Sequence, residues 1–409
     1  MCSMDSSSWH PIEAKTGVTK AIFPEPFLIA LYRAQAPYRG CAHGCTYCDG
    51  RAEKYYVEGD FEKDISVREN LPSLVAADIT GGIADREYGA ICMGSGVTDV
   101  YQGLEKKLEL TRRTLEALIP ARLPLVILTK NDLVLRDFDL LSQFPRVLIL
   151  VTVTTVDEAT AKIIEPNASR PAARLAVVKK AKEAGFFSGI LSMPLCPGIS
   201  DTDENVTALL SAAQDAGADF VYPGGLTLRP GRQKDLFLSV IDAHCPHLNE
   251  LYRDVYRENR QSGMPLMSYT SPLMRDWNTR LERISMSQMI PHRIYREVLS
   301  PPDSLFVLLC HMQSLYAIKG VDTRPLKRAT SLYGAWLKEN RSALRRKRIS
   351  PLASDPFPIT RILTEKLTAI CLVKGGFATL CGNAKLESLV RAIVIDKKYF
   401  DYPSLSAVL

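Results

Sequence analysis

The sequence predicts an α/β fold: a partial (β/α)6 TIM-like barrel over residues 25–270, followed by a mainly helical, basic region over 271–409. Three observations predict it. Six short apolar runs alternate with longer amphipathic segments between Phe27 and Arg260, the rhythm of parallel strands joined by right-handed crossover helices. The runs at 125–128 and 147–151 are almost wholly apolar, as expected of strands covered on both faces. Glycines and polar residues gather directly after the runs, at the strand ends where such barrels hold their ligands.

Residues 1–24 carry Ser6-Ser7-Ser8 and no periodicity, so an extended or disordered lead-in is expected there. A first strand is predicted over 27–32, a short helix over 71–79, and a second strand over 88–93 that runs into Gly94-Ser95-Gly96. Leu104, Leu108, Leu115 and Leu118 recur at helical spacing among charged residues, which predicts one long amphipathic helix over 102–118. Strands follow at 125–128, 147–151, 187–194 and 220–222, with helices at 137–144, 157–164, 172–184 and 204–216 between them. A sixth helix is expected over 235–260, after which the strand signals stop. Ser271 and Pro272 look like the N-cap and first position of a helix reaching residue 290. Ser300-Pro301-Pro302 marks a boundary, and helices at 304–318 and 326–340 precede a Pro-rich break at 351–358.

A chain of 409 residues can bury a substantial core. No run approaches the roughly eighteen apolar residues of a membrane span, and the first twenty residues lack a signal-peptide core, so no membrane partner is expected and the cytoplasm is the default location. Ten cysteines in that compartment read as thiols and metal ligands rather than bridges. The net charge of +6 divides into +9 for residues 301–409 and −3 for the remainder. Arg341, Arg345, Arg346, Lys347 and Arg348 form the densest basic run, either a contact for phosphates or a solvated helix face.

The most specific stretch is Cys41-Ala42-His43-Gly44-Cys45-Thr46-Tyr47-Cys48. Three thiolates separated by three and then two residues are soft ligands that suit iron–sulfur clusters and zinc. Bound to one iron–sulfur cube they fill three corners and leave the fourth iron open, as a working metal site requires. Two other readings stand beside it. A zinc site would take His43 as fourth ligand, although a residue wedged between the first two cysteines is poorly placed to close the same tetrahedron. A disulfide would leave one thiol over.

With Tyr47 as the aromatic before the third cysteine, the loop resembles the signature of the radical S-adenosylmethionine (radical SAM) superfamily. Tyr38-Arg39-Gly40-Cys41 through Arg51, then Thr98-Asp99-Val100-Tyr101-Gln102, resembles its spore photoproduct lyase-like (DNA repair photolyase-like) branch, over roughly residues 26–270. The resemblance implies a 4Fe-4S cluster on Cys41, Cys45 and Cys48, with S-adenosylmethionine (SAM) as the second cofactor. It implies that Gly94, Ser95 and Gly96 meet the SAM amine and that Tyr47 lies beside the adenine. Thr98 and Asp99, and Thr129 and Lys130, match further pairs of the branch. Thr152 and Thr154 turn one side of an apolar strand end polar and are expected to face SAM, although the β propensity of threonine explains them almost as well. Glu165-Pro166 and Arg174 resemble the segment whose arginine pairs with the SAM carboxylate, and Met193 opens a Pro-rich loop on the adenine side.

The implied reaction is reductive cleavage of SAM followed by hydrogen abstraction from a substrate. Nucleic acid is the first substrate expectation, bound through the basic C-terminal region, and an electron donor such as flavodoxin or ferredoxin is the expected redox partner. The branch also uses a cysteine as hydrogen donor just before a Ser-Asp pair, and here Gly96 stands at that place. Cys92 and Cys196 are the remaining donor candidates, and thymine-dimer repair itself is put in doubt. A radical SAM enzyme acting on a peptide or small molecule, and a non-catalytic iron–sulfur or zinc-binding interaction protein, are the alternatives.

Overall fold

The computed structural model describes residues 9–55 and 59–408. Its centre is a seven-stranded sheet of β1 (Val18–Glu25), β2 (Ala30–Ala34), β3 (Ile91–Met93), β4 (Leu125–Thr129), β5 (Val147–Thr152), β6 (Phe187–Leu195) and β7 (Val221–Gly225). Spatial order follows chain order. Strands β2 to β7 are parallel, and β1 pairs antiparallel with β2, Val18 opposite Ala34.

The main helices are α1 (Leu71–Thr80), α2 (Leu110–Leu118), α3 (Pro171–Glu183), α4 (Asp203–Asp215), α5 (Arg232–His244), α6 (Met267–Arg283), α7 (Pro301–Ile318), α8 (Arg324–Arg346) and α9 (Pro358–Leu372). Among the described residues no helix is long and apolar enough to cross a membrane.

Strand alternation sorts the sheet into two cores. Ile91, Met93, Leu125, Ile127, Ile149 and Val151 pack with residues of α1 to α4. Cys92, Val126, Leu148, Leu150 and Leu191 point the other way, into a core shared with Leu305 and Leu308 of α7, Leu337 of α8 and Leu363 of α9. The C-terminal helices therefore cover the sheet's inner face and share its core. Ser300, read as a boundary, caps α7: its Oγ donates to Asp303 Oδ2 at 2.7 Å and accepts from Asp303 N.

Several boundaries differ from expectation for local reasons. The lead-in is built into sheet from residue 9: Trp9–Pro11 pairs with Ile65–Val67, and β1 is anchored by Asp78 Oδ2, which accepts from Gly17 N and Val18 N at 2.8 Å. Residues 1–8 lie outside the described residues. The helix expected over 102–118 breaks at Glu109, which adopts φ 51°, because the Glu105 carboxylate takes the N–H groups of Thr111 and Arg112 in place of backbone acceptors. The sixth helix ends at His244 before Pro246, which has no N–H to continue it. Pro272 lies inside α6 rather than at its start. The helix begins earlier because Leu266 O accepts from Tyr269 N and Thr270 N, and Tyr269 OH ties the first turn to Asp201.

Two arginines of the basic run are turned into the protein. Arg341, 1% exposed, donates to both carboxylate oxygens of Asp303 at 2.7 Å and to Ile22 O at 2.6 Å, and its Nε stands 3.0 Å from Glu87 Oε2. Arg345 donates to both oxygens of Glu87. Since Glu87 precedes β3, these arginines sit at the N-terminal end of the parallel strands. Arg346, Lys347 and Arg348 are exposed.

The inner core also buries two imidazoles. His292 Nδ1 accepts from Phe400 N at 2.8 Å, and His311 lies between Tyr402 OH and Pro26 O. Burial lowers the pKa of His292 to about 3, helped by the charges of Arg296 and His311. It lowers that of His311 to about 4, with the hydrogen bond to Pro26 opposing. Both stay neutral when folded and take up protons below about pH 6.5 when unfolded, so the stability they contribute is complete above that pH. It falls as pH drops from about 6.5 towards 4 and 3, by up to about 1.4 kcal/mol per unit for each ring. Urea midpoints measured at about pH 7 and pH 5 are expected to differ accordingly, and a His292→Asn/His311→Gln pair to show a flatter dependence.

Candidate active site

The cysteine loop follows β2 and folds over the C-terminal ends of the parallel strands. A cavity with about 930 Å³ of empty space, its open mouth included, lies between them. Cys41, Cys45, Cys48 and Tyr47 line it together with Ser95, Gly96, Thr98 and Asp99 after β3. Thr129 at the end of β4, Lys130 directly after it, Thr152 from β5 and Met193 from β6 complete the rim, and Phe27, Leu128 and Leu191 form an apolar floor. Twelve of the seventeen predicted site residues thus border one space.

The loop is held by side chains that sequence reasoning did not assign to the site. Arg51 donates to Cys45 O and Gly44 O at 3.0 Å each. Gln102 accepts from Ala42 N at 2.7 Å and donates to Gly40 O, which also accepts from Thr98 Oγ1 at 2.7 Å. Asn167 donates to His43 O and Ala42 O, and Gln233 to Tyr47 O. Gly44 takes φ +65° and Gly40 φ +83°, conformations that suit glycine.

Two buried carboxylates organise the walls. Asp99 accepts from Thr129 Oγ1, from Lys130 N at 2.7 Å and from Tyr101 N at 2.8 Å, and stands 3.1 Å from His43 Nε2. Burial pushes its pKa up, but the hydrogen bond and charge of His43 and the two backbone N–H groups outweigh that and leave it lowered. Asp99 therefore fastens the cysteine loop to the end of β4. Glu165 accepts from Tyr47 OH, from Thr154 Oγ1 at 2.9 Å and from Arg174 Nη2, with Lys130 Nζ at 3.5 Å. Burial opposes its ionisation, and the charges of Arg174 and Lys130 more than compensate, so its pKa is lowered.

Five expected residues lie off the cavity. Arg174, 1% exposed, is not a clamp at the mouth: Nε donates to Ser169 O, Nη1 to Thr152 O and Nη2 to Glu165. Thr154 sits behind the wall on Glu165. Gly94 adopts φ +125° with its carbonyl accepting from Arg33, and a Cβ there would stand 3.0 Å from Leu128 O. Cys92 is sealed in the inner core and Cys196 in a cluster with Leu226 and Phe237, so neither thiol faces the cavity as a hydrogen donor. Burial pushes the Cys92 thiol up to about 12 and raises that of Cys196 as well.

The donor set fits an iron–sulfur cluster better than a zinc ion. Cys41, Cys45 and Cys48 are free thiols on one cavity, and burial raises the pKa of each, that of Cys45 to about 12. His43, the fourth ligand a zinc site needs, holds Asp99 through Nε2, while its buried Nδ1 has no partner among the described residues. Among those residues no three His, Cys, Asp or Glu side chains converge on a single ion. The thiols border a space rather than a point. Lys130, the only lysine or arginine among the described lining residues, has its Nζ 5.5 Å from the Tyr47 ring centroid, where a carboxylate-bearing ligand could meet it.

The Radical SAM superfamily model matches residues 36–210. An uncharacterised protein of Mycobacterium tuberculosis is 28% identical over 260 residues, which cover 62% of this chain and 75% of that protein. One of Methanocaldococcus jannaschii is 34% identical over 167 residues, 41% of this chain and 61% of its own length. Among solved structures, spore photoproduct lyase complexed with dinucleoside spore photoproduct is similar at 16% identity and a TM-score of 0.42, covering 59% of this chain and 67% of that one. The matched segment contains the three thiols, the glycine turn after β3, Lys130 and the Glu165–Arg174 pair, and over that segment this chain is similar to the Radical SAM superfamily.

Proposed function

We propose that this protein is a radical SAM enzyme whose open parallel sheet is the partial (β/α)6 barrel of that superfamily. In this reading Cys41, Cys45 and Cys48 hold a 4Fe-4S cluster, and SAM occupies the cavity before Ser95, Gly96, Thr129, Lys130, Thr152 and Met193. The observation that carries the reading is the convergence of all three thiols and these strand-end residues on one space. A reduced cluster held by Cys41, Cys45 and Cys48 would supply the electron for reductive cleavage of SAM and so the means of abstracting hydrogen from a substrate. The chain's own part is binding and orientation. Lys130 offers a cation to the SAM carboxylate, the backbone of the Ser95–Gly96 turn offers carbonyls to its ammonium group, and Leu128, Leu191 and Phe27 keep water from the floor. A flavodoxin or ferredoxin is the proposed donor.

Nucleic acid is the first substrate class we propose, on the motif resemblance; the internal placement of Arg341 and Arg345 lends it no support. A peptide or small-molecule substrate is the alternative. Protein reconstituted without oxygen and reduced with dithionite is expected to convert SAM to 5′-deoxyadenosine, with Lys130→Ala raising the KM for SAM. A cluster-loaded protein that forms no deoxyadenosine would return the chain to the non-catalytic reading.

A further inference from the structure

His43 sits between the first two cysteines of the loop, is 1% exposed and lines the cavity. Its main chain is fixed: the carbonyl accepts from Asn167 N at 3.1 Å, and the N–H serves the Cys41 sulfur. Its ring is fixed at one nitrogen only. Nε2 lies 3.1 Å from Asp99 Oδ2, while the buried Nδ1 has no partner among the described residues.

Asp99 decides the tautomer. An ionised carboxylate can only accept, and this one already takes Thr129 Oγ1, Lys130 N and Tyr101 N. Nε2 therefore carries the proton it donates, and Nδ1 presents a lone pair. A buried acceptor left without a donor is costly, so a ligand that brings an N–H to this wall gains by it. Thiolates and sulfides are acceptors and cannot serve. The amine of SAM can. The Ser95–Gly96 turn, whose carbonyls are read as meeting that amine, runs on through Val97 to Thr98 and Asp99, and all five residues line the cavity. The ring held by Asp99 is thus at the amine's end of the space.

We propose that His43 Nδ1 accepts an N–H of the SAM amine, a contact that ties the cosubstrate through the imidazole to Asp99 and so to the end of β4. The assignment rests on reading the cavity as the SAM site. It gives the histidine wedged between two cluster cysteines a use that neither the cluster nor a zinc ion gives it.

The test measures equilibrium binding to the full-length, cluster-loaded protein without reductant. The probes are SAM and 5′-methylthioadenosine, which carries the same nucleoside but no amine. His43→Gln keeps an N–H for Asp99 at the place of Nε2 and removes the acceptor at Nδ1. His43→Asn puts an amide oxygen at the place of Nδ1 and gives up the bond to Asp99. His43→Gln is expected to bind SAM about tenfold more weakly and 5′-methylthioadenosine as before, with iron and sulfide per chain unchanged. His43→Asn should recover most of the SAM affinity. Unchanged SAM affinity in His43→Gln overturns the proposal, as does a His43→Asn that binds SAM no better than His43→Gln. An equal loss for both probes, or loss of iron from both variants, makes His43 an anchor of the loop and overturns it too. A natural chain that holds its cluster and binds no SAM overturns the reading of the cavity itself, so the two failures are told apart.

Discussion

Replacing Glu165 by glutamine is expected to lower the unfolding free energy by about 3–5 kcal/mol, the cost of leaving a buried cation without its counter-charge. Arg174 is 1% exposed and Glu165 2%, so water cannot take over the lost partner. The carbonyls of Ser169 and Thr152 still accept from the guanidinium, but they supply no net charge. The same change frees Lys130 and loosens Tyr47, which Glu165 holds through its hydroxyl. Urea denaturation of Glu165→Gln measures the loss. A Glu165→Gln/Arg174→Met double variant should recover part of it, because an apolar replacement removes the stranded charge. A single-variant loss below about 1 kcal/mol would place the pair in a wetter environment than this structure gives it.

Arg341→Ala should destabilise the chain by a similar amount, about 3–5 kcal/mol. It strands two carboxylates: Asp303, fully buried, and Glu87, 1% exposed. Burial opposes ionisation of Glu87, and the hydrogen bonds from Arg345 with the charges of Arg341, Lys20 and Arg345 overcome it and lower its pKa. Lys20 and Arg345 still reach Glu87 after the change, so Asp303 is the greater loser. Arg341→Lys keeps the charge but cannot bridge both groups with a planar fork, and should fall between Ala and the natural residue. Denaturation midpoints for the two variants check the order; equal midpoints would contradict it.

Much of the sheet was legible because burial leaves a compositional trace. The runs that became β4 and β5 are apolar on both faces, and each face has its own core. The cysteine loop was legible because three thiols at that spacing have few other uses. What sequence could not supply was depth and direction. Strand alternation puts Cys92, Val126 and Leu128 on one face of the sheet without saying which lies at the cavity and which beneath it; only the path of the C-terminal helices decides that Cys92 is walled off. Arg174 reads equally as a ligand clamp or a wall residue until Glu165 is found beside it. The five basic residues from Arg341 to Arg348 look like one patch, yet helix geometry turns Arg341 inward and leaves Arg346 in solvent. Glu165 itself was visible in the motif, but a lone carboxylate before proline carries no mark of the four groups that meet it.

Metal content in oxygen-free protein tests the central claim most directly. Iron, sulfide and zinc would be measured for the natural chain and for Cys41→Ala/Cys45→Ala/Cys48→Ala. About four irons and matching sulfide per chain are predicted for the first, with none in the variant. Zinc in place of iron, or a cluster that survives loss of all three thiols, would contradict it.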